Sequence, residues 1–177
     1  MASQGALEVF TNNGWYADGS FTEAGKAAMA ELLEAFPRIH EGLWGKAFLA
    51  YMRNNVALAA ELIVTREQRE VLLTWRDDVF FQGWHTPGKH KGPGESWQET
   101  ASRIATAEIG CEVEFQSVLG FVHHPAEENS RFEEVGVLLH CNLLGAPCEG
   151  SRWFSSEPEE MLRQHRKFWP FIKQCFV

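Results

Sequence analysis

Between Gly83 and Cys111 the chain reads GWHTPGKHKGPGESWQETASRIATAEIGC, and this stretch has few ways to fold. Trp84 to Thr86 closes an extended run, and Pro87-Gly88 turns the chain. Gly92-Pro93-Gly94 keeps the following loop compact and open to positive φ. Ser96 followed three residues later by Glu99 is a capping box, so Ser96 is the expected N-cap and Trp97 the first helical residue. The helix is expected to run to about Ile109, with Gly110 as the left-handed residue after it. A glycine-rich loop held against one capped helix must therefore sit at the end of a strand.

The rest of the chain supplies a sheet for that loop and helix to rest on. Val56–Thr65 reads as a strand, Arg66 to Arg69 as a turn, and Glu70–Trp75 as the returning strand. Glu112–Phe121 alternates and then turns apolar, as a strand. Glu134–Leu144 is apolar almost throughout and belongs in the middle of a sheet, with His140 as a satisfied core histidine. Arg152 to Phe154 is a short strand. Ser155 is expected to cap a last helix with Pro158 in its first turn, running to about Phe168 and ended or bent by Pro170. Near the N-terminus, Ala27, Ala28, Leu32, Leu33 and Phe36 recur at helical spacing up to Pro37. Residues 1–20 are polar and turn-rich, as in an arm or lid. Residues 38–54 are ambiguous: Gly42 and Gly45 break a helix, and Ala47–Met52 suits a strand. Trp44, Phe48 and Tyr51 there read as core.

With 177 residues, 45% of them hydrophobic, the chain can bury one full core. Its formal charge of −8 disfavours a nucleic-acid partner, whose phosphates would be repelled. Cys111, Cys141, Cys148 and Cys175 form no C-x-x-C pair and read as buried free thiols of a reducing cytosol. No signal peptide and no membrane-spanning run is present, so a cytoplasmic protein is expected.

The charged residues of the loop and helix resemble the Nudix box, G-x5-E-x7-R-E-U-x-E-E-x-G-U with U a bulky apolar residue. Counting from Lys89, the chain gives K-x5-E-x7-R-I-A-x-A-E-x-G-C. Glu95, Arg103, Glu108 and Gly110 fall in register. Trp84-His85-Thr86-Pro87-Gly88 is similar to the family's W-x-x-P-G entry, and Pro93-Gly94-Glu95-Ser96 to its PGES corner. The departures lie on one helix face. Where the family has three carboxylates, this chain has Ile104, Ala107 and Glu108, and Lys89 replaces the first glycine of the box. Arg103-Ile-Ala-Thr-Ala-Glu108-Ile-Gly110 resembles the R-L-T-M-A-E-L-G of GDP-mannose mannosyl hydrolases, a subgroup that uses one Mg²⁺ and displaces the sugar at its anomeric carbon. Leu72-Leu73-Thr74-Trp75-Arg76 and Gln82-Gly83-Trp84 are similar to that subgroup's L-L-x-x-R and Q-G-W.

The resemblance implies a Nudix-type α/β/α sandwich around a mixed β-sheet. Residues 1–40 would be an N-terminal arm and helix, and residues 41–177 the Nudix domain. Glu108 and the carbonyl of Gly88 are the implied metal ligands, for Mg²⁺ or Mn²⁺. Glu95 and Arg103 are implied to brace loop against helix, with Gly110 as the structural end of the box. Arg76, Lys89 and His90 are candidates for binding substrate phosphate. The general base is open between Glu149, in the turn before the last short strand, and His124. Trp84 and Trp97 flank the box, and packing is the expected role of Trp97. Family members are often homodimers, and the apolar N-terminal helix could serve that interface. Two functions follow from these residues. One is hydrolysis of a nucleoside diphosphate linked to another moiety, a nucleotide sugar above all. The other, suggested by Ile104 and Ala107, is a catalytically silent nucleotide-binding module of the same fold.

Overall fold

In the computed structural model, which describes residues 4–35, 49, 52–78, 80–129 and 132–176, the chain divides into two compact units, 1–44 and 45–177. The expected boundary near residue 40 lies among residues 36–48, outside the described residues, as do Trp44, Phe48 and Tyr51. In the first unit, α1 (Gln4–Asn12) leads to β1 (Tyr16–Ala17) and β2 (Ser20–Phe21). The turn residues Asp18 and Gly19 take φ of 50° and 81°, as a tight two-residue hairpin requires. Residues 4–21, expected as an arm or lid, are thus a helix and a hairpin, and the Asp-Gly pair carried the signal. Thr22 caps α2 (Glu23–Ala35), its hydroxyl accepting the Gly25 N–H at 3.1 Å.

The second unit contains β3 (Ala57–Arg66), β4 (Glu70–Asp77), β5 (Gln82–His85), β6 (Gly88–His90), α3 (Trp97–Glu108), β7 (Val113–His124), α4 (Ala126–Asn129), β8 (Glu134–Leu143) and β9 (Ser151–Phe154). A 3₁₀ turn (His165–Phe168) and α5 (Trp169–Gln174) complete it. The sheet order is β5-β4-β3-β8-β7, with β6 added to β3 and β9 to β4. Only the β3–β8 pairing is parallel among the described strands, so the sheet is mixed.

Period-two alternation along β3 divides the core in two. Ala60, Leu62 and Val64 pack under α3 against Ala101, Ile104 and Ala105. On the other face Ile63, with Val71 and Leu73, packs under Phe168, Trp169 and Ile172. Each fully buried Leu or Ile contributes roughly 1.5–3 kcal/mol. The result is helix on sheet on helix, as expected. No described helix is long and apolar enough to cross a membrane.

The C-terminal helix differs from expectation. Residues 155–164 form no helix, because the chain is taken up by β5: Trp84 N–H donates to the Glu160 carbonyl at 2.9 Å, and Leu162 N–H to the Trp84 carbonyl at 2.9 Å. Helix begins only after that clamp. Pro170 neither ends nor bends it but sits in the first turn of α5, where its missing N–H would have had no partner. The four cysteines are free thiols, but only Cys141 is buried: Cys111 and Cys175 are half-buried and Cys148 is exposed.

Candidate functional site

The capping box closes as its sequence demands. Ser96 Oγ accepts the Glu99 N–H at 3.2 Å, and Glu99 Oε2 accepts the Ser96 N–H at 2.7 Å. Gly110 ends α3 with φ of 79°, its N–H reaching the Ala105 carbonyl at 2.9 Å. The brace across loop and helix is equally complete. Arg103 donates from Nε and Nη2 to the two Glu95 carboxylate oxygens, both at 2.8 Å, and from Nη2 to the His90 carbonyl at 2.9 Å. Glu95 also accepts from Gly92 N–H and Thr100 Oγ1. The Arg103 hydrogen bonds, chiefly, hold its carboxyl down at about 2. Trp97 is partly buried against the core, with Lys91 Nζ 5.4 Å from its ring centre.

This brace sets Gly88 and Lys89 beside the end of α3. Leu62 N–H bonds the Pro87 carbonyl and Lys91 N–H the Leu58 carbonyl, so Glu61 and Gly88 between them are a non-hydrogen-bonded pair. The backbone groups of Gly88 therefore point away from β3, and its N–H donates to Glu108 Oε2 at 2.9 Å. Lys89 Nζ lies 3.3 Å from Glu108 Oε1. Burial raises the Glu108 pKa despite both partners.

Nudix hydrolases generally use divalent cations, and the donor set here does not fit a resident ion of that kind. Ile104 is wholly buried in the core, and Ala107 is exposed and carries no donor. Of the three box positions on this helix face only Glu108 keeps a carboxylate, and its two oxygens face an N–H and an ammonium. Among the described residues no group of three His, Cys, Asp or Glu side chains could hold a metal ion.

The remaining candidates are dispersed around this junction. Arg76 donates from Nε to Asp78 at 2.5 Å and lies over the Phe81 ring, yet its charge still acts on Glu108. His90 Nε2 is 3.3 Å from Glu134 Oε2 rather than turned to the box. His124 is the cross-strand partner of the same Glu134 and packs against Phe168. Its Nδ1 is a buried atom with no hydrogen-bond partner, and burial lowers its pKa. Glu149 is exposed, but its turn is fastened to α3: Cys148 N–H donates to the Ile109 carbonyl at 2.7 Å, and its thiol to that of Glu108 at 3.6 Å.

One carboxylate escaped the sequence reading. Glu61, midway along β3, is 6% exposed and lies against Gly88, where an added Cβ would come within 2.4 Å of its Oε2. Glu61 Oε2 accepts from Thr86 Oγ1 at 2.5 Å, and Thr86 Oγ1 is 2.9 Å from His165 Nδ1. Burial pushes the Glu61 pKa well above the usual carboxylate range. His85 joins through its Nδ1, 2.7 Å from the Thr86 carbonyl, and its pKa falls to about 4 for the same reason. The signal was a lone carboxylate in the apolar run ALAAELIV.

A box braced by Glu95 and Arg103 beside a mixed sheet is the arrangement of a Nudix fold. The chain belongs to the NUDIX domain family, whose model matches residues 56–170. An ADP-ribose pyrophosphatase from Streptococcus suis 89-1591 shares 20% identity and a TM-score of 0.54, over 68% of this chain and 90% of that one. A MutT NUDIX hydrolase from Burkholderia pseudomallei shares 19% identity and a TM-score of 0.57, over 68% and 98%. A UDP-X diphosphatase shares 13% identity and a TM-score of 0.57, over 97% and 77%. Likeness at these identities establishes the fold. No curated protein matches the chain in sequence.

Proposed function

We propose that the protein hydrolyses a nucleotide sugar, with water attacking the anomeric carbon and the nucleoside diphosphate leaving. The observation that carries this reading is the meeting of Gly88, Lys89 and Glu108 at the end of the braced helix, with the charges of Lys89 and Arg76 both acting there. A cation held at the helix end suits a diphosphate, whose developing charge must be neutralised as it departs. The carbon–oxygen bond breaks with its electrons passing to the diphosphate, while the attacking water gives its proton to a base. Glu149, on the turn fastened to α3, and His124, neutral and with an unpartnered Nδ1, are the two candidates. Arg76, Lys89 and His90 remain the proposed phosphate contacts. His90 would have to leave Glu134 to act as one. The Mg²⁺ or Mn²⁺ expected from the resemblance has no resident place in this reading.

The ADP-ribose pyrophosphatase and the UDP-X diphosphatase are named for nucleoside diphosphates bearing another group, in keeping with this substrate class. Incubation with a panel of UDP- and GDP-sugars in ¹⁸O-labelled water tests the proposal. Label in the released sugar supports it. Label in a phosphate overturns attack at carbon, and binding without product favours the silent module. Loss of turnover in Glu149→Gln or in His124→Gln, but not both, identifies the base. A cytoplasmic homodimer is the proposed setting, and analytical ultracentrifugation checks the dimer.

A further inference from the structure

We infer that the Lys89 ammonium is the built-in cation of this box, standing against Glu108 where other members of the fold would recruit a divalent ion. Three observations converge on it. Lys89 occupies a position where the box pattern has glycine, so the side chain is an addition to the loop and not a replacement for another cation. Its Nζ lies 3.3 Å from Glu108 Oε1, while Gly88 N–H takes Oε2, so both oxygens of the one carboxylate left at the three box positions face donors of the chain itself. The other two box carboxylates are gone as well, one into the apolar core at Ile104 and one to Ala107. These changes are consistent with one another electrostatically. Three carboxylates without a metal would repel, and a lysine among them could not balance their charge. One carboxylate and one ammonium are neutral together.

The geometry also suits the ligand. Lys89 is 43% exposed whereas Glu108 is 19% exposed, so the ammonium is the outer partner of the pair and the one a diphosphate would meet. An ammonium is a point charge with three donors on a flexible stem, able to keep one bond to Glu108 and offer the others to phosphate oxygens. This part of the inference rests on the diphosphate reading above; the cation's place against Glu108 does not.

Two measurements separate these claims. Mn²⁺ alone is titrated into wild type, Lys89→Met, and Lys89→Met with Glu108→Gln, following the free ion by electron paramagnetic resonance. Lys89→Met should bind Mn²⁺ about tenfold more tightly than wild type, and the gain should vanish in the double variant. ADP is then titrated by calorimetry with EDTA or with Mg²⁺. Wild type should bind ADP equally in both, and Lys89→Met should lose about tenfold in EDTA and recover with Mg²⁺. Equal Mn²⁺ affinity in wild type and Lys89→Met overturns the inference, as does a gain that survives loss of Glu108. Loss of wild-type ADP binding in EDTA overturns it too. If the Mn²⁺ arm succeeds and no form binds ADP, Lys89 stands as the cation and the diphosphate reading falls. Circular dichroism melts confirm that each variant is folded.

Discussion

Glu95 and Glu61 are carboxylates of one site, on either side of the Gly88–Lys91 segment, and they hold their protons in opposite ways. Glu95 receives both arms of Arg103, the Gly92 N–H and the Thr100 hydroxyl, and its pKa falls to about 2. Glu61 is more deeply buried, with the Thr86 hydroxyl at 2.5 Å and His165 Nδ1 at 3.7 Å, and burial raises its pKa. Residue type therefore decides neither state; the partners do. Glu95 is a fixed anion that clamps a loop. Glu61 holds its proton to higher pH, against the Gly88 backbone whose N–H meets Glu108.

The largest expected effect comes from removing the cation on the Glu95 side. Arg103→Ala leaves a largely buried anion without its partner and frees the His90 carbonyl. A loss of about 3 kcal/mol is expected, in the range for breaking a buried pair. Urea unfolding at pH 7 measures it, and a loss near zero would mean that the brace does not hold the loop.

Next in size is Gly88→Ala, which tests how closely Glu61 is held. The new methyl would come within 2.4 Å of Glu61 Oε2, so either β6 or the carboxylate must move. A cost of about 2 kcal/mol is expected, typical of overpacking. Most of that cost should disappear when Glu61→Ala is made in the same chain. Additive costs would show that the backbone of β6, and not the Glu61 side chain, resists the methyl.

The carboxamides Glu95→Gln and Glu61→Gln should then move pH stability in opposite directions. Unfolded glutamate titrates near ~4.3. The depressed Glu95 contributes stability present above that value and lost as pH falls toward about 2, so Glu95→Gln should flatten the acid limb. The raised Glu61 keeps its proton in the folded state after the unfolded chain has released it. Its contribution is therefore lost as pH rises from ~4.3 through the folded value. Glu61→Gln should match wild type near pH 4 and melt higher at pH 8. Melting curves across pH that move the same way for both variants would break the comparison.

The same contrast explains what the sequence could disclose. Glu95, Ser96, Arg103 and Gly110 act through partners a fixed number of residues away, so spacing reveals the brace and the helix ends. Strands β3, β4, β7, β8 and β9 were equally plain from their residue runs, whereas the hairpin β1–β2 and the short β6 were read as arm and loop. Glu61 meets Thr86 and His165 only through the sheet and the C-terminal turn, over separations that no local pattern encodes. The last helix was misplaced for a related reason, since the bonds between β5 and residues 160–162 are long-range and outweigh the local signal of Ser155 and Pro158. The Lys89–Glu108 pair lies between these cases. Both residues stood out from the box, but only the fold places one charge against the other.

The smallest effect should come from Ala107→Glu, and it is informative for that reason. Ala107 is exposed, so a carboxylate there buries nothing and stability should change by no more than about 0.5 kcal/mol. It restores a second box carboxylate one residue before Glu108 while leaving Lys89 in place. If the ammonium already balances Glu108, the added charge should bring Mn²⁺ in only weakly, because the ion must still displace or share with Lys89. Combined with Lys89→Met, Ala107→Glu should bind Mn²⁺ more tightly than either single variant, by more than the two separate gains would give. That non-additivity is the signature of two changes acting on one ion site. Strictly additive gains would mean that Ala107 and Lys89 do not share a site, and the junction at Gly88 would have to be redrawn.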